Sequence, residues 1–343
     1  MSRVMRATRL YGPNDLRVEE VGVPELGPHE VLIRVRVDGL CPTGVHAVER
    51  GVVWGEPGVG FPGHEFAGDV VAVGPHVEGV SVGDRVVGEL LIKCGRCYFC
   101  RSGRSNLCRN SRWVGYFSWA EYVKTYDYVT YRIPEGVTYE AAAFTEPLSC
   151  CLNAVEVANI SPGDDVLVIG SGPMGLLIAQ LARWARGARV ILSDILDSRL
   201  SHARRLGFKD LVNPLREDVQ GRVRELTDGL GANVVIVTVG DTRVQEEALG
   251  MVRPGGTVVF FAGVHGVRES PVRVNSNFIH YEEVVVTGAF DKTSEQFYRA
   301  LKLISIGTMD VEALITHRFP LEKVGRAMEV FRGREGLKIM IYP

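Results

Sequence analysis

The chain has 343 residues, 46% hydrophobic and 23% charged, with a formal net charge of −2. This is ordinary globular composition at a length that favours two domains over a single core. The near-neutral charge gives no footing for nucleic acid or an anionic membrane as partner. No apolar run reaches the roughly 18 residues of a membrane span, and the opening MSRVMRATRLYGPNDLRVEE lacks the apolar centre of a signal peptide.

In chain order, Val31–Val37, Phe66–Val73 and Arg85–Leu91 are short apolar segments. Gly27-Pro28, Gly74-Pro75 and Gly83-Asp84 punctuate them. This pattern predicts an irregular antiparallel barrel or sandwich. Beyond Ile133-Pro134, helical spacing covers Tyr139–Phe144 and Leu148–Ala158. Asp165 to Gly170 then reads as a buried strand, followed by a helix over Leu176–Ala185, a strand over Arg189–Asp194 and a helix over Ser198–Leu206. Val234–Val239 and Thr257–Ala262 repeat the strand signal. Strands alternating with helices predict a doubly wound parallel sheet, so the chain reads as α/β with a separate β-rich domain. The last fifty residues return to short mixed segments whose docking periodicity leaves open.

Gly170-Ser171-Gly172-Pro173-Met174-Gly175 fits the pattern G-x-G-x-x-G between a strand and a helix. The glycines allow a tight turn, approach of a pyrophosphate to the backbone, and close helix–strand packing. The helix N-terminus then offers unpaired N–H groups to the phosphates. Asp194, ending the next strand, suits the adenosine ribose hydroxyls and would repel a 2′-phosphate, so NAD is expected over NADP. Arg199 nearby counts the other way, because a guanidinium receives a phosphate or stacks on adenine.

Cys94, Cys97, Cys100 and Cys108 follow C-x2-C-x2-C-x7-C. Four thiolates on one short segment close a structural zinc shell. The odd total of seven cysteines argues against a secreted disulfide framework and for a reducing, cytoplasmic compartment. A second set is chemically mixed. Cys41, His64 and Glu65 would make a three-ligand zinc site with an open position, with Glu146 a further carboxylate. At such a site zinc acidifies an alcohol, and hydride passes to a nicotinamide. Thr43 and His46 form a plausible proton route.

These residues resemble the zinc-dependent medium-chain dehydrogenases, and within them the sorbitol (polyol) and L-threonine dehydrogenase branch. The stretches that carry the resemblance are Gly63-His64-Glu65, Val82 to Val86, the cysteine lobe, Glu146-Pro147-Leu148-Ser149, the glycine turn, Thr316 to Lys323 and the ending Gly336 to Ile341. The resemblance implies a GroES-like catalytic domain over about 1–152 and 288–343, with the zinc lobe near 93–109. A Rossmann NAD domain over about 153–287 would interrupt it, with the active site in the cleft between. It implies two zinc ions per subunit: one catalytic, on Cys41, His64, Glu65 and Glu146, and one structural. Thr43 and His46 match relay positions, Glu146 stands for a ligand or a holder of bound water, and Arg199 matches an adenine-facing position. A homotetramer or dimer and a small hydroxylated substrate are implied as well.

The chain departs from that pattern. Relatives read C-G-[ST]-D-x-H, where the aspartate supports a zinc-ligand histidine. Here Pro42 and Gly44 replace the glycine and the aspartate. Ala47 replaces an aromatic residue, and Asp291 stands where sorbitol dehydrogenases carry arginine. The expected activity is therefore oxidation of a secondary alcohol on a polyol, sugar or cyclitol. An amino alcohol such as L-threonine or an aminocyclitol is an alternative, suggested by Asp291. A non-catalytic NAD-binding protein with structural zinc alone is an alternative of another class, and a zinc-free reductase disagrees with the mixed ligand set.

Overall fold

The structure, a computed structural model, describes residues 4–53, 58–264 and 269–343. The chain divides into two units. Residues 1–149, 293–307 and 311–343 form the first, and residues 150–292 and 308–310 the second.

The first unit is organised on the strand Glu30–Gly39. Its sequence EVLIRVRVDG alternates, with Val35 and Val37 buried and Arg34 and Arg36 exposed, as a strand with one wet face requires. It pairs antiparallel with Phe66–Val73 and Tyr122–Tyr126, and its end pairs with Lys338–Tyr342. Ile315–Pro320 lies parallel to Lys338–Tyr342, so the C-terminal segment joins a seven-stranded sheet of this unit. Phe61, Phe117, Trp119, Leu321, Ile339 and Ile341 share one buried core, so the earliest and latest parts of the chain bury one another's apolar surface.

The strand expected over 85–91 stops at Gly88. Leu91–Ile92 instead pairs with Arg112–Trp113 at the root of the cysteine lobe, because closing that loop needs a second, separate ladder.

The second unit is a six-stranded parallel sheet. Its spatial order is Asp210–Val212, Arg189–Ser193, Asp165–Ile169, Ala232–Val237, Val252–Phe260 and Val285–Gly288. The order reverses between Asp165–Ile169 and Ala232–Val237, the crevice where doubly wound sheets bind ligands. The two edge strands, three and four residues long, are too short to show a period in sequence. The helix expected from Leu176 begins at Pro173, whose fixed φ suits a first helical position, and a π-helical turn over Leu181–Ala185 continues it. Leu167, Ile191, Val235 and Val258 lie at the centre of this unit's core.

Candidate active site

Cys41 precedes the helix Pro42–Arg50, and His64 and Glu65 precede the strand Phe66–Val73. The pairing of Asp38 with Phe66, and the bond from Gly39 N to Glu65 O at 2.8 Å, bring these two chain ends together. One ligand atom from each of Cys41, His64 and Glu65 lies within 4.8 Å of the others. Burial works against an imidazolium at His64, but Cys41, Glu146 and Glu65 outweigh it and push its pKa up to about 10. A cysteine sulfur, an imidazole and a carboxylate gathered in this way are a fitting zinc donor set. Glu146 stands outside the trio yet acts electrostatically on His64.

The cysteine lobe gathers Cys94, Cys97, Cys100 and Cys108. Their sulfurs lie 3.9 Å (Cys94–Cys100), 3.5 Å (Cys97–Cys100) and 3.9 Å (Cys97–Cys108) apart. Zinc–sulfur bonds of about 2.3 Å imply tetrahedron edges of about 3.8 Å, so the quartet fits one zinc ion. Backbone N–H groups of Arg96 and Cys97 draw the Cys94 pKa down to about 6, while burial drives that of Cys100 up to about 12. Without a cation, four crowded sulfurs do not all ionise.

In the second unit the glycine turn is tight. Gly170 has φ +101°, and a Cβ on Gly175 would stand 1.8 Å from the Gly170 carbonyl oxygen. Both positions therefore require glycine. Gly172 and Pro173 start the following helix, with Met174 in its first turn. Asp194 is buried and accepts from Ser171 N (2.7 Å), Leu196 N (2.9 Å) and Arg199 Nη1 (3.5 Å). The carboxylate at the strand end is thus tied to the turn, and Arg199 closes over it.

Residues 27–135 match the alcohol dehydrogenase GroES-like domain, and residues 173–305 match the zinc-binding dehydrogenase domain. The chain is 30% identical to sorbitol dehydrogenase of Bacillus subtilis, over 99% of this chain and 97% of that one. It is 33% identical to L-threonine 3-dehydrogenase of Pyrococcus abyssi, over 99% of this chain and 98% of that one. The chain belongs to the zinc-dependent medium-chain dehydrogenases. A solved zinc-binding dehydrogenase from Sinorhizobium meliloti, bound to NADP, superposes with a TM-score of 0.92 at 31% identity, covering the whole of both chains. The protein is accordingly a zinc-binding dehydrogenase acting on alcohols. Among the described residues no helix is long and apolar enough to cross a membrane.

Lys338 and Asp38, two of the buried ionisable residues of this dehydrogenase, carry no signal of their role in the sequence pattern. Lys338 heads the final strand and forms an ion pair with Glu65 Oε2, with a further contact to Leu40 O at 3.4 Å. Burial opposes its charge, but Glu65 and Cys41 prevail, so its pKa stands above the usual lysine value. Glu65 therefore divides its carboxylate between the trio and Lys338. In sequence Lys338 is only a single lysine opening an otherwise apolar strand, KIMIY. Asp38 is fully buried, with Ser118 Oγ donating to Oδ2 and Trp119 Nε1 donating to Oδ1 at 3.1 Å.

Thr43 and His46 both lie on the helix Pro42–Arg50, Thr43 exposed and His46 half-buried. His46 Nδ1 lies 3.0 Å from Glu49 Oε2, and Arg332 donates to Glu49 Oε1 at 2.9 Å. Asp291, in the left-handed region at φ +56°, has Oδ1 3.4 Å from Lys292 Nζ. Both side chains are largely buried, so the chain itself supplies a cation beside this carboxylate.

Proposed function

We propose that this enzyme oxidises a secondary alcohol on a polyhydroxylated substrate (a polyol, sugar or cyclitol) to a ketone, with NAD as hydride acceptor. The observation that carries the reading is the convergence of Cys41, His64 and Glu65 in a chain of this family. These residues, with Glu146 close by, would hold the catalytic zinc, and Cys94, Cys97, Cys100 and Cys108 a structural one. The catalytic zinc supplies a Lewis acid that acidifies the substrate hydroxyl.

The chain's own groups do the rest. Lys338 holds Glu65 in place and offsets its charge. His46, whose Nδ1 lies 3.0 Å from Glu49 Oε2, would exchange the proton with water, and Thr43 on the same helix would complete that route. Gly170, Gly172, Pro173, Met174 and Gly175 would receive the pyrophosphate on backbone N–H groups. Asp194 favours the ribose hydroxyls of NAD over a 2′-phosphate, with Arg199 lying on the adenine side. The cysteine pattern, an odd total with four of the seven gathered in one quartet, supports a reducing, cytoplasmic setting. We read the enzyme as a homo-oligomer, tetramer or dimer.

Zinc analysis and a substrate panel test this reading. Two zinc ions per chain are expected, together with NADH formation from polyols, sugars or inositols and loss of turnover in Cys41→Ser and His64→Ala. Full turnover in either variant would overturn the mechanism. The 33% identity to an L-threonine 3-dehydrogenase favours a second reading, oxidation of an amino alcohol. Asp291, the residue that first suggested it, has the Lys292 ammonium 3.4 Å away, so the chain supplies one cation to that carboxylate. Amino alcohols in the same panel decide between the two.

A further inference from the structure

Gly44 is buried in the first turn of the helix Pro42–Arg50, and its φ is not positive. Glycine is a poor helix former, so the position calls for room rather than for an unusual conformation. A Cβ there would stand 2.9 Å from Pro62 Cγ and 3.1 Å from Pro62 Cβ. The buried proline ring occupies the space a side chain at 44 would use. The carbonyl of the same proline lies 2.8 Å from His64 Nδ1. A carbonyl only accepts, so Nδ1 carries the hydrogen, and a neutral ring then has its lone pair on Nε2. A ligand atom of this same imidazole lies within 4.8 Å of the Cys41 sulfur.

We infer that Gly44 and Pro62 are a matched positioning pair for the metal-binding trio. The missing side chain at 44 admits the Pro62 ring, and the Pro62 carbonyl fixes His64 as an Nε2 donor. An uncharged main-chain acceptor thereby does the orienting that a carboxylate commonly does beside a metal-bound imidazole, without adding negative charge. The inference rests on the reading that Cys41, His64 and Glu65 bind zinc.

Two measurements test it. In the zinc-loaded wild type with histidine-selective ¹⁵N labelling, and with the signal assigned through His64→Gln, Nδ1 should be protonated and Nε2 metal-bound. The reverse assignment overturns the inference. In Gly44→Ala the Cβ must displace Pro62. Competition with a graded chelator should then show the trio's zinc bound about tenfold or more weakly. The zinc of the cysteine lobe should stay bound as in the wild type. Unchanged affinity in Gly44→Ala overturns the inference while leaving the zinc reading intact. A wild type that binds a single zinc removes both. Should Gly44→Ala fail to fold, shown by loss of the lobe zinc too, the wild-type ¹⁵N assignment decides alone.

Discussion

Lys338 lies against Glu65 with only 4% and 2% of the two side chains exposed, so an ion pair is sealed inside the first unit beside Cys41 and His64. Removing one partner of such a pair strands the other charge without water. In the zinc-free protein Lys338→Met is expected to cost about 3–5 kcal/mol. The loss should shrink when zinc is added, because a dication at the trio then faces Glu65. Urea unfolding with and without zinc checks this, and equal stability of wild type and variant without zinc would show that Glu65 has another cation.

Gly39 makes that pair possible. A Cβ there would lie 2.2 Å from Glu65 Oε2 and 2.6 Å from Lys338 Cε. Gly39→Ala must push both charged groups apart, with an expected loss of about 1–3 kcal/mol. Zinc binding at the trio should weaken in parallel. Thermal melting and zinc counting on the same sample read both effects, and a silent substitution would mean that the strand end yields freely.

Asp38 gives a pH signature. Burial is the main cause that raises its pKa from 3.8 to about 7. A carboxyl whose folded pKa is raised favours the folded state when protonated, so its contribution falls as pH rises from about 4 to about 7. Asp38→Asn, nearly isosteric and without a charge, should therefore gain stability relative to wild type across that window. The difference should level off above about pH 7 at a few kcal/mol. Unfolding curves at pH 4, 5.5, 7 and 8.5 would show it, and a constant difference would mean that Asp38 does not titrate in the folded protein.

At the nucleotide end, Asp194 receives two backbone N–H groups and a guanidinium. Asp194→Ala removes the repulsion toward a 2′-phosphate and releases Arg199. The ratio of kcat/KM for NAD to that for NADP is expected to fall at least about tenfold, the size of a lost charged hydrogen bond. An unchanged ratio would assign cofactor choice to other residues.

The sheet of the second unit was readable because parallel strands are buried on both faces and so appear as unbroken apolar runs, as at Asp165–Ile169. Its edge strands Asp210–Val212 and Val285–Gly288 were not, since a segment of three or four residues carries no period. Cys41, His64 and Glu65 stood out by residue type, and the structure sets their ligand atoms side by side. Glu146 stood out equally, but it lies outside that group.

Sequence by itself determined the family, the cysteine quartet and the glycine turn, because each depends on residues close together in the chain, where spacing alone constrains geometry. Only tertiary structure decided the electrostatics around the trio. By alternation Asp38 belongs on the wet face with Arg34 and Arg36, yet Ser118 and Trp119 cover it. Lys338 meets Glu65 across 273 residues of chain. The fate of a charge depends on what is packed over it, and packing between distant segments leaves no local pattern to read.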